Sequence, residues 1–317
     1  MATLLISRSG DVELSPGPSM NPNNVNSSFD SNATLTNSGL SIMNVNIQSL
    51  KPKLDILTVE AHSYDVLVYT ETRLSSNVSD EDVEIPNFKK PFRYDRNDRL
   101  GVGVAIYVRD TLHVIPRNDL QINGVEAVWV EIHVCQRNLL VGGIYRPPNS
   151  NITQWLNMEH SLDQAFNQHI DNILVAGDFN INTNSNPSNR MSRLIDSLNS
   201  EQFINSPTHF TERSSSLIDL MFIKHSTQIL SSFVADPFVP NLVRFHCSAV
   251  VVLKFTKPKQ TSFQRKIWIY DKGDYVIYND ELRSTDWSFI ENNQNLDATA
   301  DTIANSILKA ASESIPK

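Results

Sequence analysis

Cysteine, long apolar runs and excess positive charge are all scarce in this chain. Only two cysteines, Cys135 and Cys247, occur in 317 residues, and both sit in apolar, strand-like segments. That placement predicts small buried thiols in preference to a disulfide or a metal site, and with them a reducing intracellular compartment, nuclear or cytoplasmic. No apolar stretch has the length to span a bilayer, so no membrane partner is expected. The opening Met1–Ser7 offers only Leu4, Leu5 and Ile6, with no basic lead or cleavage site, which argues against a secretory signal. The net charge of −8 does not advertise nucleic-acid binding. Positive charge is nevertheless concentrated in one tract, where Lys89, Lys90, Arg93, Arg96, Arg99 and Arg109 face only Asp95 and Asp98, with Phe92 and Tyr94 interleaved. Such a tract suits a phosphate-tracking loop or a solvated surface loop.

What is present is the composition of a soluble globular protein, 40% hydrophobic and 20% charged. Residues 19–39 are rich in Asn, Ser and Thr and predict a disordered linker. From Ser41 the pattern changes. Strands are predicted over Ile42–Ile47, Val66–Thr70, Val102–Val108, Val125–Val134, Leu139–Tyr145, Ile173–Ala176, Leu217–Ile223 and Ala249–Phe255. Helices are predicted over Lys51–His62, around Trp155–Ile170 and around Met191–Leu198, where apolar residues recur at helical spacing. Strands outnumber helices and mix with them irregularly, which favours a layered α/β sandwich with much antiparallel pairing. Beyond a Thr-Lys-Pro-Lys-Gln linker, residues 265–317 predict a short strand-like piece and one or two helices, notably Ala298–Ile315. The expected organisation is a disordered segment 1–40, a domain 41–256 and a linker with a helical tail 257–317.

The most informative point is Ile-Leu-Val-Ala-Gly-Asp-Phe-Asn at 173–180, an apolar run that breaks into polar residues. In an extended segment Asp178 and Asn180 project to one side, a suitable pair for a phosphate, a metal or an attacking water. Gly177 permits close or unusual backbone. The bland alternative is an Asx turn closing the strand. Similar polar groups recur on the other strands: Asn46 in the first, Glu71 after Val-Leu-Val-Tyr-Thr, Tyr145 after Val-Gly-Gly-Ile, Asp219 inside Leu-Ile-Asp-Leu, and His246 before the last. Singly, each is usually a solvated or satisfied group; together they place polar chemistry at one edge of a sheet, where ligands gather. Mg²⁺, or Mn²⁺, wants oxygen ligands and keeps waters, so Glu71 with one further oxygen donor would suffice. Asp178 could take a proton from water, Asn180 could position a phosphate, and Asp219 could hold His246 in one tautomer as a donor to a phosphoryl oxygen.

In order and in spacing, Val-Asn-Ile-Gln-Ser-Leu around Asn46, Thr-Glu-Thr-Arg-Leu around Glu71, Gly-Gly-Ile-Tyr-Arg-Pro-Pro around Tyr145, Gly-Asp-Phe-Asn, and Ser-Leu-Ile-Asp-Leu around Asp219 resemble the endonuclease/exonuclease/phosphatase superfamily. More narrowly they resemble the endonuclease domain of non-LTR retrotransposons. The resemblance covers about Ile42 to Phe255. It implies a four-layer sandwich of two mostly antiparallel β-sheets flanked by helices. It also implies a Mg²⁺-dependent nick in DNA that leaves a 3′-hydroxyl, with Asn46, Tyr145, Asp178, Asn180, Asp219 and His246 catalytic and Glu71 and Asn46 at the metal. A DNA substrate brings Arg99 and Arg146 into view as nucleic-acid contacts, and no small-molecule cofactor is expected. Asp11-Val-Glu-Leu-Ser-Pro-Gly-Pro18 is similar to ribosome-skipping peptides of the 2A type, with Ser15 where Asn is usual. Ile267-Trp268-Ile269-Tyr270 looks like the connector to a reverse transcriptase, so the expectation is a fragment of such an element.

One departure stands out. The family pattern Ser-Asp-His is here Arg244-Phe245-His246. Phe245 can neither ligate a cation nor accept a hydrogen bond, and Arg244 adds a positive charge that competes with a cation or binds a phosphate. Two alternatives follow. One is a catalytically dead, nucleic-acid-binding relic of the same fold. The other is a phosphodiesterase acting on phosphoinositides or phospholipids.

Overall fold

The computed structural model describes residues 39–96, 103–185, 188–237, 244–257, 270–288, 290 and 296–316. The 2A-like peptide, the Asn/Ser-rich segment, Arg99 and Ile267–Ile269 lie outside the described residues. Two compact units are present, one through Lys259 and one from Gln260.

In the first unit, one six-stranded sheet contains β1 (Leu40–Asn46), β2 (Val66–Thr70), β3 (Phe92–Tyr94), β4 (Val104–Val108), β13 (Ile229–Val234) and β15 (Ala249–Leu253), in the order β13-β15-β1-β2-β4-β3. The other contains β5 (His113–Pro116), β6 (Glu126–Val134), β7 (Arg137–Tyr145), β8 (Asn172–Asp178), β9 (Ser200–Gln202) and β12 (Asp219–Lys224), ordered β5-β6-β7-β8-β12-β9. Each sheet has a single parallel pair, β1 with β2 and β7 with β8, and is otherwise antiparallel. The sheets face each other across a core of Leu40, Ile42, Val66, Val68, Val104 and Ile106 on one side and strands β6–β8 and β12 on the other.

The outer faces are covered by helices. Short α1 (Leu54–Glu60) buries Leu57 beside Met43, Val45, Leu67 and Tyr69. On the second sheet, α2 (Ile152–Phe166) and α3 (Arg190–Ser197) bury Met158, Leu162, Met191 and Ile195. The helix-sheet-sheet-helix sandwich expected from the sequence is therefore observed. Alternation explains it: because side chains point to opposite faces in turn, the near-continuous apolar strands serve both the inter-sheet core and a helix layer. Helix α2 starts earlier than its apolar spacing suggests because Asn151 caps it, accepting from Gln154 N at 3.0 Å while Gln154 Oε1 accepts from Asn151 N. The predicted helix over Lys51–His62 is α-helical only in its centre, with 3₁₀ turns at Lys51–Lys53 and Ala61–Ser63.

A third sheet was not expected. It joins β10 (His209–Phe210), β11 (Ser215–Ser216) and β14 (Phe245–His246) in the order β11-β10-β14. These two-residue strands are too short for any periodic signal. A second correction concerns Cys135. Cys247 is buried, but Cys135 is exposed, because it sits with φ +55° in the turn between β6 and β7.

The second unit holds α4 (Tyr275–Ser284) and α5 (Leu296–Ser314), which pack on each other. Asp274 caps α4 by accepting from Val276 N and Ile277 N at 3.0 and 3.1 Å. Among the described residues no helix is long and apolar enough to cross a membrane.

Candidate active site

The two parallel pairs bring the polar residues together. Strands β1 and β2 run side by side with Asn46 opposite Thr70, so Asn46 and the following Glu71 emerge at one end. Strands β7 and β8 do the same with Tyr145 opposite Asp178, and antiparallel β12 begins there with Asp219 opposite Asp178. Because the sheets are stacked, both sets share one mouth. Asn46 spans it: its Nδ2 donates to Asp178 Oδ2 at 2.8 Å and to Glu71 Oε1 at 2.9 Å. Its Oδ1 accepts from Gln48 N at 3.2 Å, which fixes the amide with its donor end toward the carboxylates. Asn46 thus turns its amide nitrogen, not its oxygen, toward Glu71 and Asp178.

Opposite stands a buried pair. His246 Nδ1 lies 2.8 Å from Asp219 Oδ2, with side-chain exposures of 2% and 0%. Thr208 completes the grip, its hydroxyl donating to the same oxygen at 2.7 Å and accepting from Asp219 N at 3.1 Å. A carboxylate facing Nδ1 places the ring proton there and turns Nε2 toward the mouth. Thr208 escaped the sequence analysis because a lone hydroxyl in a loop carries no pattern. Ligating atoms of Asp178, Asp219 and His246 all lie within 4.8 Å of one another.

The electrostatics are those of a crowded, dry anionic site. Burial, and then the Asp219 charge, raise the Asp178 carboxyl above the ordinary value, against the pull of His246 and Asn46. For His246 burial opposes protonation, but the Asp219 charge and hydrogen bond, with Asp178, outweigh it and the imidazole is raised. Burial raises the Tyr145 hydroxyl, helped by the charges of Glu71 and Asp178, so it stays a proton donor at neutral pH. Glu71 and Asn180 both hold left-handed backbone, each with φ +51°, an uncommon conformation for residues with side chains and one that clusters at working sites.

That backbone corrects one expectation. Asn180 does not extend from Asp178 with its side chain alongside. The chain turns, Asn180 N donating to Asp178 Oδ1 at 2.9 Å, and Asn180 Nδ2 donates back to Arg146 O at 3.0 Å. Asp178 thus closes an Asx turn with one carboxylate oxygen while the other meets Asn46 at the mouth. Arg146 also differs from expectation. It is buried, and its guanidinium donates to the carbonyls of Phe179 (2.6 Å), Pro147 (2.9 Å) and Asn180 (3.0 Å) while lying over the Trp155 ring. Its donors are spent inside the protein, shaping the Asp178–Asn180 turn instead of facing nucleic acid. The basic tract is similarly engaged. Lys90 pairs with Glu81, Arg93 with Asp80 and Asp95, Arg96 with Glu126, and Arg109 is buried against the carbonyls of Ala61, His62 and Tyr64.

Phe245 stacks on Phe210 with centroids 5.2 Å apart and planes at 18°. Strand alternation puts that pair on the face of the small sheet opposite His246 and His209, which lie 4.6 Å apart. Phe245 therefore turns from the mouth into an aromatic contact. The donor set that remains still suits a hard cation. Asp219 Oδ1 is buried with no hydrogen-bond partner among the described residues, and such an orphaned oxygen calls for an ion or water. Glu71 adds a partly exposed carboxylate at the rim.

The endonuclease/exonuclease/phosphatase family model matches residues 24–285, and the chain belongs to that family. Members typically work with divalent metals, in keeping with the buried acidic and imidazole cluster. No curated protein matches the chain. Among solved structures, the endonuclease domain of TRAS1, a telomere-specific non-LTR retrotransposon, is similar with a TM-score of 0.55 at 16% identity, over 69% of this chain and 100% of its own. The AP endonuclease LMAP from Leishmania major gives 0.53 at 15% identity, over 75% and 92%. The 3′ phosphatase NExo from Neisseria, bound to product DNA hairpin, gives 0.50 at 13% identity, over 68% and 99%. At these identities the likeness is one of fold.

Proposed function

We propose that this chain is a Mg²⁺-dependent DNA endonuclease of retrotransposon origin, acting inside the cell and hydrolysing one strand to leave a 3′-hydroxyl. The observation that carries this is the amide bridge: Asn46 joins Glu71 to Asp178 across two sheets, directly facing Asp219–His246. A metal-binding carboxylate, a base and an acid are thereby fixed around one opening. The catalytic unit spans 41–256, with 1–40 and 257–317 outside it.

Glu71, with the free oxygen of Asp219 or a carbonyl oxygen of the site, would hold the divalent cation, which supplies Lewis-acid polarisation of the phosphate. Asp178, raised by burial, accepts a proton from the attacking water near neutral pH. His246, held by Asp219 and Thr208, donates a hydrogen bond to a phosphoryl oxygen as charge grows there. Tyr145 keeps its proton and donates from the other side. Asn46 orients both carboxylates, and Asn180 sets the turn that aims Asp178. The similar structures, an AP endonuclease, a retrotransposon endonuclease domain and a phosphatase bound to a DNA hairpin, favour DNA over a phosphoinositide.

Supercoiled plasmid incubated with the protein and Mg²⁺ is expected to relax by nicking. Asp178→Ala and chelation by EDTA should each abolish this, and re-added Mg²⁺ should restore the wild type. Nicking no greater than that of Asp178→Ala would sink the enzyme. The Phe245–Phe210 stack favours a second possibility, a site that binds nucleic acid without cutting it. In that case the parent chain binds a duplex but nicks plasmid no faster than Asp178→Ala, and nicking above that control excludes it.

A further inference from the structure

The small third sheet carries a charge arrangement that the proposed reaction leaves unused. On its mouth-facing side, His209 stacks on His246 and is itself buried. Arg244, two residues before His246 and so on the same face by strand alternation, donates from Nε to His209 Nε2 at 3.1 Å. An imidazole nitrogen that accepts from a guanidinium carries no proton, so the His209 proton sits on Nδ1, which meets Ser216 Oγ at 3.2 Å. His209 is thus a neutral spacer; burial and its neighbours His246 and Arg244 lower its titration to about 4. Its effect on Arg244 is mechanical. One of five donors is pinned, and the guanidinium cannot swing away as an exposed arginine normally does.

The other donors of Arg244 have no partner among the described residues, and the side chain is exposed. It is an unpaired cation with a fixed root on the Asp219–His246 side of the mouth, across from Glu71 and Asp178. The other basic residues near the site do not share this state: Arg146 is buried, Arg73 leans on Glu71 at 3.5 Å, and Lys53 donates to the Ile47 and Gln48 carbonyls. A guanidinium with free, forked donors matches the non-bridging oxygens of a phosphodiester.

We propose that Arg244, held by His209, anchors a phosphodiester of the substrate strand beside the reacting one and thereby sets the strand's position in the mouth. This deepens the endonuclease assignment and rests on it. The anchor touches substrate away from the reacting atoms, so its loss shows first in binding.

Binding of a labelled duplex oligonucleotide, measured in EDTA so that nothing is cut, tests this across roughly 50 to 200 mM salt. Arg244→Gln should weaken binding about tenfold and lower the salt slope by about one, with an unchanged melting temperature. Arg244→Lys should keep the slope yet lose part of the affinity, because lysine has no Nε–H to give His209. His209→Phe, which keeps a ring against His246 but removes the acceptor, should likewise keep the slope and lose affinity. Equal affinity and slope for Arg244→Gln and the parent would overturn the anchor while leaving the endonuclease intact. Failure of the parent chain to bind the duplex at all would instead overturn the DNA assignment, and the anchor with it.

Discussion

Gly177 offers the sharpest test of how the fold positions the site. It lies in β8 opposite Ile144 of β7, one residue before Asp178 and its neighbour Tyr145. A Cβ at this position would fall 1.8 Å from the Ile144 carbonyl oxygen and 2.8 Å from its carbon, where real contacts stay beyond 3.0 Å. The obstacle is backbone on both sides, so Gly177→Ala must part the two strands by roughly 1 Å. Overpacking of this kind costs about 1–3 kcal/mol, and the stretched ladder, including Arg146 N to Asp178 O at 2.9 Å, adds about 1 kcal/mol per weakened hydrogen bond. A total near 3 kcal/mol lowers the melting temperature by about 6–12 °C for a domain of this size. The same displacement moves Asp178 against Asn46, and a shift of about 1 Å in a catalytic group costs on the order of 100-fold in rate. Gly143→Ala is the control. Its Cβ meets side-chain methyls of Val104 and Val68 at 3.0 Å, which can yield, so its cost should be clearly smaller. Thermal melts followed by circular dichroism, with plasmid nicking in parallel, measure both effects. A Gly177→Ala melt within about 2 °C of the parent, or no worse than Gly143→Ala, would refute the reasoning.

Two further perturbations follow from the same geometry. Asp178→Asn should abolish nicking yet stabilise the fold at neutral pH by about 1 kcal/mol, since burial and the Asp219 charge oppose an ionised carboxylate there. The sign follows from the raised folded value. Stability associated with the neutral carboxyl is present below the unfolded pKa of about 4 and is lost as pH rises through the folded one. The advantage of the asparagine should therefore shrink on acidification, and urea titrations at two pH values would expose a constant difference. Arg146→Ala strands three carbonyls and the Trp155 face, and should lower stability by about 3 kcal/mol. Arg146→Lys should recover little, because one ammonium cannot reproduce the fork; a lysine variant that melts like the parent in calorimetry contradicts a structural role.

Much of the architecture was legible in the residues. The core strands are apolar runs with sharp polar endings, and the main helices of the domain repeat their apolar residues at helical spacing, so type and order could be read directly. What escaped depended on length or on partners. The strands of the third sheet are two residues long, α2 begins at a cap outside its apolar stripe, and Cys135 belongs to a turn defined by the pairing of β6 with β7. Thr208 and His209 matter only because Asp219, His246 and Arg244 come to them from distant parts of the chain.

The sequence by itself determined the layered α/β class, the set of polar residues at strand ends, and the loss of a carboxylate at Phe245. These are local properties, written in periodicity and residue type. The tertiary structure alone decided how the set is wired. It made Asn46 a donor between two carboxylates, because Gln48 N–H claims its oxygen. It turned Arg146 inward, because the Asp178–Asn180 turn needs its donors. It also sent Phe245 to Phe210 and Arg244 to His209, because adjacent residues of a strand face opposite sides. Hydrogen-bond partners more than a hundred residues apart, such as Asn46 and Asp178, exist only once the two sheets are stacked.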